Sequence, residues 1–188
     1  MNLNEFKEKG HLLIGGAGAI NVMNLPGYIV YLRNNVCKNI KVILTKSAAK
    51  MVSKETVSYV SGCSTFTSEY DDIDFLAPHI SLTRWADIFL VLPATANIIS
   101  KAAHGIADDL LSSSILAAEC PIIFYPSMNK QMWNNPAIKR SVKQLKDDDY
   151  HFKFSVEKVL EIATGNMEEA ITTNLYDIES DIYSVLSQ

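Results

Sequence analysis

Four unbroken apolar runs constrain this chain more than any other feature: "HLLIG" (11–15), "KVILT" (41–45), "IFLVL" (88–92) and "PIIFY" (121–125). A strand with one wet face alternates apolar and polar residues. Unbroken runs of this length suit a sheet covered on both faces. Helical spacing fills the intervals, in "GYIVYLRNNV" (27–36), "TANIISKAAHG" (95–105) and "DDLLSSSILAAE" (108–119). Strand–helix alternation predicts an α/β chain built on a doubly wound parallel sheet. At 188 residues and 48% apolar composition, a single domain over 1–188 is expected.

Two stretches are less regular. Residues 53–80 are rich in Ser, Thr and Asp and read as a long excursion before His79. Residues 152–174 carry a Gly/Asn turn between polar segments, which suits either a loop or a hairpin. After them, Leu175, Ile178, Ile182, Val185 and Leu186 share one helix face, so a last helix should pack onto the domain.

The net charge of −4 and the absence of a Lys/Arg cluster argue against a nucleic-acid partner. No apolar run approaches the roughly 18 residues that span a bilayer, and the polar start "MNLNEFKEKG" does not resemble a signal peptide. A cytoplasmic protein is expected. Cys37, Cys63 and Cys120 are odd in number and widely spaced, so neither zinc nor a disulfide framework is indicated. The acidic groups at 71–74 and 147–149 lack calcium-loop spacing and read as solvated turns, so no metal site is expected.

In open α/β sheets ligands bind beyond the carboxyl ends of the strands. The first run ends in "GGAGAI", where glycines permit either a tight turn or close approach of backbone N–H groups to an anion. The full G-x-G-x-x-G fingerprint is absent, because position 21 is Asn. The second run ends in Thr45, Lys46 and Ser47, the third in "PATAN" with Thr95 and Asn97, and the fourth in "PSMN" with Ser127 and Asn129. Four strand ends thus present small or polar residues to one crevice, as a phosphate-bearing cofactor requires. His79, in "APHISLTRWADIF", suits either a structural or a catalytic histidine at a helix start. No G-x-S-x-G or HExxH motif occurs.

These segments resemble the homo-oligomeric flavin-containing cysteine decarboxylases. "PATANIISKAAHGIADDLL" is similar to their "PASANT" segment, and "PSMNKQMW" fits P-x-M-N-x-x-M-W at every fixed position. His79 stands where that family keeps its active-site histidine. The resemblance covers about residues 11–170. It implies a Rossmann-like, flavodoxin-related fold, bound FMN or FAD, and trimers or dodecamers with flavin sites between subunits. The positions it assigns to the cofactor are Ala17, Gly18, Ala19, Thr45, Lys46, Ser47, Thr95, Ala96, Asn97, Ile98 and Ser127. Two depart from the family pattern: Gly18 stands where a hydroxyl is common, and Ile98 replaces the final Thr of "PASANT".

The family has two decarboxylase branches. One acts on phosphopantothenoylcysteine in coenzyme A synthesis and uses a late Cys to reduce an enethiol. The other oxidatively decarboxylates the C-terminal cysteine of a lantibiotic precursor peptide. This chain has no Cys after Cys120, and "EIATG" (Glu161, Ile162, Ala163, Thr164, Gly165) resembles the substrate flap of the peptide branch, near 155–170. The resemblance therefore implies a precursor peptide ending in Cys as substrate. Oxidation to a thioaldehyde would release CO2 and leave an enethiolate. His79 would act as base or orient the thiol, Asn129 would hold the carboxylate or its amide, and Met132 would pack on substrate and flavin. The alternatives are the coenzyme A branch, a non-catalytic flavin-binding regulatory subunit, and a flavin prenyltransferase. Retention of His79, Asn129 and Met132 opposes the second, and P-x-M-N-x-x-M-W opposes the third.

Overall fold

A computed structural model describes residues 3–69, 77–160 and 165–187. The chain runs α1 (Leu3–Lys9), β1 (His11–Gly16), a 3-10 helix (Ile20–Asn24), α2 (Leu25–Asn35), β2 (Asn39–Leu44), α3 (Lys46–Ala49), α4 (Lys54–Ser61) and β3 (Ser64–Phe66). It continues through α5 (Pro78–Trp85), β4 (Ile88–Ala94), α6 (Ala96–Ala103), α7 (Leu110–Ala117), β5 (Ile122–Pro126) and β6 (Met128–Asn129). The last elements are α8 (Lys130–Asn134), α9 (Pro136–Asp147), β7 (His151–Phe152), β8 (Ser155–Leu160), β9 (Met167–Thr172) and α10 (Leu175–Leu186).

The main sheet is parallel throughout, in the order β3-β2-β1-β4-β5-β7. Counting only its own strands, this is the 3-2-1-4-5-6 order of the doubly wound fold, with its switch point between β1 and β4. The expected α/β fold is thereby met. The period-2 alternation of side chains sorts each apolar run between two cores. On one side lie Leu12 and Ile14, Val42 and Leu44, Leu90 and Leu92, and Ile123 and Tyr125. On the other lie Leu13, Ile43, Phe89 and Val91, and Phe124. Covering both faces is what makes the runs unbroken.

The excursion expected over 53–80 is more ordered than its composition implied. Ser53 Oγ accepts the Thr56 N–H at 3.0 Å and starts α4, and Gly62 ends it with φ 65. β3 follows, with three residues, too short to show a period. Asp71, Asp72 and Asp74 lie outside the described residues.

α10 packs as its spacing predicts, with Ile178 and Ile182 fully buried against the first core. Asp181 fastens it to the sheet: Tyr125 donates to Asp181 Oδ2 at 3.4 Å, and Lys153 pairs with Oδ1 at 3.0 Å. Burial, with Asp181 adding to it, pushes the Tyr125 phenol well above its ordinary range. Ile178→Ala is expected to cost about 2–5 kcal/mol, read as a lower urea midpoint. An unchanged midpoint would show that the helix adds nothing to the core.

Beyond β5 the chain builds a second sheet, β6-β9-β8. β8 and β9 form an antiparallel hairpin, so the open choice over 152–174 resolves to a hairpin. Its inner strand pairs with the strand end that carries the P-x-M-N motif, Met128 with Ile171 and Asn129 with Ala170. Glu161, Ile162, Ala163 and Thr164 lie outside the described residues. Gly165, which follows them, has φ 73, a left-handed conformation that favours glycine.

Candidate active site

The switch point is shaped by β4 outlasting its neighbours. The Pro93 carbonyl accepts the Ala17 N–H at 3.0 Å, and the Ala94 carbonyl accepts the Ser127 N–H at 2.9 Å. One strand end therefore holds both flanking loops, after β1 and after β5. Two cavities open there, and Gly18, Thr95, Ala96 and Met132 line both.

The first cavity, of about 350 Å³, is lined by Ala17, Gly18, Thr45, Lys46, Ser47, Thr95, Ala96, Asn97 and Ile98. Its walls are helix starts. Thr45 Oγ1 caps α3 by accepting the Ala48 N–H at 3.2 Å, and Thr95 Oγ1 caps α6 by accepting the Ile98 N–H at 3.3 Å. Each of these threonines thus spends one lone pair on its helix. The N–H groups of Lys46, Ser47, Ala96 and Asn97 lie in first turns, where no intrahelical acceptor exists. Donors of this kind suit a phosphate or another anion.

Gly18 explains one departure from the family pattern. A Cβ there would lie 2.5 Å from Ser47 Cβ and 3.2 Å from the Ser47 carbonyl carbon. The first loop rests directly on the start of α3, which leaves no room for a hydroxymethyl group. Ile98 is buried in the second core, so the Thr it replaces leaves no polar atom unpaired.

Lys101 and Asp109 complete this cavity and were not singled out from sequence. Lys101 pairs with Asp108 at 2.5 Å and with Asp109 at 3.2 Å. Burial pulls its pKa down, but the two carboxylates outweigh it and hold the ammonium above its ordinary range. Asp109 also caps α7 in a capping box with Ser112. The "K…DD" spacing carries no sign of this pairing until α6 turns back toward α7.

The second cavity, of about 360 Å³, is bounded by Ala19, Ser127, Asn129 and Met132 and closed on one side by the hairpin, from Val159 and Leu160 to Ala170 and Thr172. Ala19 and Ser127, grouped with the cofactor positions by resemblance, thus line the second cavity and not the first. Asn129 Oδ1 accepts the Met132 N–H at 2.8 Å and caps α8. That bond fixes the amide orientation, and among the described residues Asn129 Nδ2 has no acceptor. Met132 is 46% exposed, and Trp133 is buried edge-on against Phe154 with Lys139 over its ring.

His79 borders neither cavity. It sits in the first turn of α5, and its Nδ1 is 3.1 Å from Glu69 Oε2. Carboxylate contact at Nδ1 sets the ring plane, and among the described residues Nε2 has no partner.

The Flavoprotein family model matches residues 1–183. The chain is 37% identical over 166 residues to the mersacidin decarboxylase of Bacillus sp. (strain HIL-Y85/54728), covering 88% of this chain and 84% of that protein. It is 39% identical over 135 residues to the coenzyme A biosynthesis bifunctional protein CoaBC of Bacillus subtilis (strain 168), covering 70% of this chain but 33% of that protein. The fold matches the FMN-dependent cysteine decarboxylase SpaF with TM-score 0.80 and 33% identity, over 95% of this chain and 98% of that one. It also matches a His→Asn variant of EpiD in complex with the substrate peptide DSYTC, with TM-score 0.84 and 28% identity, over 93% and 98% of the two chains.

Proposed function

Because this chain belongs to the Flavoprotein family, we propose that it binds FMN and oxidatively decarboxylates the C-terminal cysteine of a lantibiotic-type precursor peptide, giving an aminoenethiol. The observation that carries this reading is the second cavity. It adjoins the donor-lined cavity, and a β-hairpin hydrogen-bonded to the P-x-M-N strand walls it. A peptide terminus can enter such a site beside a cofactor. The likeness to mersacidin decarboxylase over most of both chains supports the peptide branch, whereas CoaBC shares a third of its length.

The residues present fit the cofactor. Helix-start N–H groups and the close approach at Gly18 make an anion cradle, and the adjoining cavities together offer the volume of a flavin and a peptide terminus. Ala17, Gly18, Thr45 to Ser47 and Thr95 to Ile98 would hold it. FMN is favoured over FAD by the FMN-dependent relative SpaF. When bound, FMN supplies the two-electron acceptor for the cysteine side chain.

The chain's own residues then do the rest. Asn129 Nδ2 donates to the terminal carboxylate. Met132, exposed between the two cavities, packs its thioether against the substrate. His79 takes or orients the thiol proton through Nε2, its ring held by Glu69. Since His79 borders neither cavity of its own chain, it serves a neighbouring copy in a homo-oligomer, a trimer or dodecamer. Exposed Ile20, Leu160 and Met167 near the cavity mouth are suited to burial by such a neighbour. The β8–β9 hairpin acts as the substrate flap.

Mass spectrometry of a Cys-ended peptide incubated with the enzyme in air tests the reading. The product should lack CO2 and two hydrogens, because no Cys follows Cys120 to reduce the enethiol. Loss of CO2 alone, giving a saturated thiol, would assign the chain to the coenzyme A branch.

A further inference from the structure

Asn21 occupies the position where a dinucleotide fingerprint would place its third glycine, and no part of the proposed mechanism uses it. Its amide reaches two distant segments. Asn21 Nδ2 donates to Ser127 Oγ at 3.1 Å and to Thr172 Oγ1 at 3.2 Å. All three side chains line the second cavity, and Ser127 and Thr172 are 9% and 8% exposed.

The direction of these bonds decides what the cavity can bind. An oxygen that accepts from an amide N–H keeps its own proton to give elsewhere. Among the described residues, neither the Ser127 nor the Thr172 hydroxyl donates to a protein acceptor. Asn129 is in the same state, with its oxygen committed to the Met132 N–H and its Nδ2 open. Among the described residues, the lining of this one cavity therefore holds three donors with no protein acceptor. Of the carboxylates on the same wall, Glu169 is neutralised by Lys130, and Glu168 is exposed on β9.

We propose that Asn21 is a positioning residue that orients the Ser127 and Thr172 hydroxyls, so that with Asn129 they form a receptor for the C-terminal carboxylate of the peptide. This rests on the peptide reading given above. A carboxylate accepts at two oxygens with about four lone-pair sites, enough for three donors, and charge-assisted bonds are the stronger kind. Asn21 spans the first loop, the P-x-M-N turn and the hairpin, so the receptor is complete only when the hairpin is seated.

The test uses the FMN-loaded enzyme and a peptide ending in Ser, which cannot be oxidised as a thiol, beside the same peptide amidated. Both are titrated by calorimetry. Wild type should bind the acid at least tenfold more tightly than the amide. Ser127→Ala and Thr172→Val should each reduce that ratio several-fold. Asn21→Asp should abolish it: the new carboxylate accepts both hydroxyl protons and turns them from the cavity, with little change in shape. A structural defect would weaken acid and amide alike and leave the ratio standing. A wild-type ratio in Asn21→Asp, or in both hydroxyl variants, would overturn the proposal while leaving the peptide reading intact. So would loss of FMN from the hydroxyl variants with the ratio unchanged, which would assign the donors to the flavin. A wild-type enzyme that binds neither peptide would overturn the peptide reading itself.

Discussion

His79→Asn is expected to reduce peptide turnover by about 10²–10⁴-fold, the usual range for loss of a proton-transferring group, while the purified protein stays yellow. The histidine lies in the first turn of α5 and does not line the donor-rich cavity, so its loss should not disturb flavin affinity. Peptide binding should also persist, because His79 lines neither cavity. Turnover is measured by mass spectrometry and flavin content by absorbance. The same variant tests the subunit arrangement. Mixed with Asn129→Ala protomers after joint refolding, it should regain part of the activity, because sites that draw His79 from one chain and Asn129 from another become complete. Full activity of His79→Asn alone would remove the residue from the mechanism. No regain on mixing would place both residues in one chain's site.

The second large effect is on the cofactor. Gly18→Val should give a folded protein that is colourless or nearly so. The added Cβ would sit 2.5 Å from Ser47 Cβ and 3.2 Å from the backbone of the same residue. Backbone cannot rotate away as a flexible side chain can, so the first loop and the start of α3 must part. That separates the donors of Lys46 and Ser47 from those of Ala96 and Asn97, and a phosphate can no longer meet both sets. The far-UV circular dichroism should stay close to wild type, since the clash is confined to a loop over a four-residue helix. Retention of a full complement of FMN would show that the phosphate does not lie between these elements.

What the sequence determined about this protein is what short-range physics can carry. Unbroken apolar runs mean a sheet covered on both faces, and the alternation between them means crossover helices and parallel strands. Together these bring four strand ends to one edge: Thr45 to Ser47 and Thr95 to Asn97 line one cavity, while Ser127 and Asn129 line the cavity beside it. The helix face of α10 was equally legible, because its period is set within the helix itself.

Only the tertiary structure decided the rest. The two-residue strand β6 has no period to read, yet its pairing with β9 turns the hairpin into a wall of the site. α4 and β3 hid in a stretch of Ser and Thr because one cap and one left-handed glycine define them, not an apolar pattern. Asn21 looked like a broken fingerprint. Its partners stand 106 and 151 residues away, and a hydrogen bond of that reach leaves no trace in local spacing. His79 was visible as a residue but not as a place: that it borders neither cavity is decided by where α5 packs. Local sequence fixes the period and ends of each element, whereas the contacts between elements depend on the path of the whole chain.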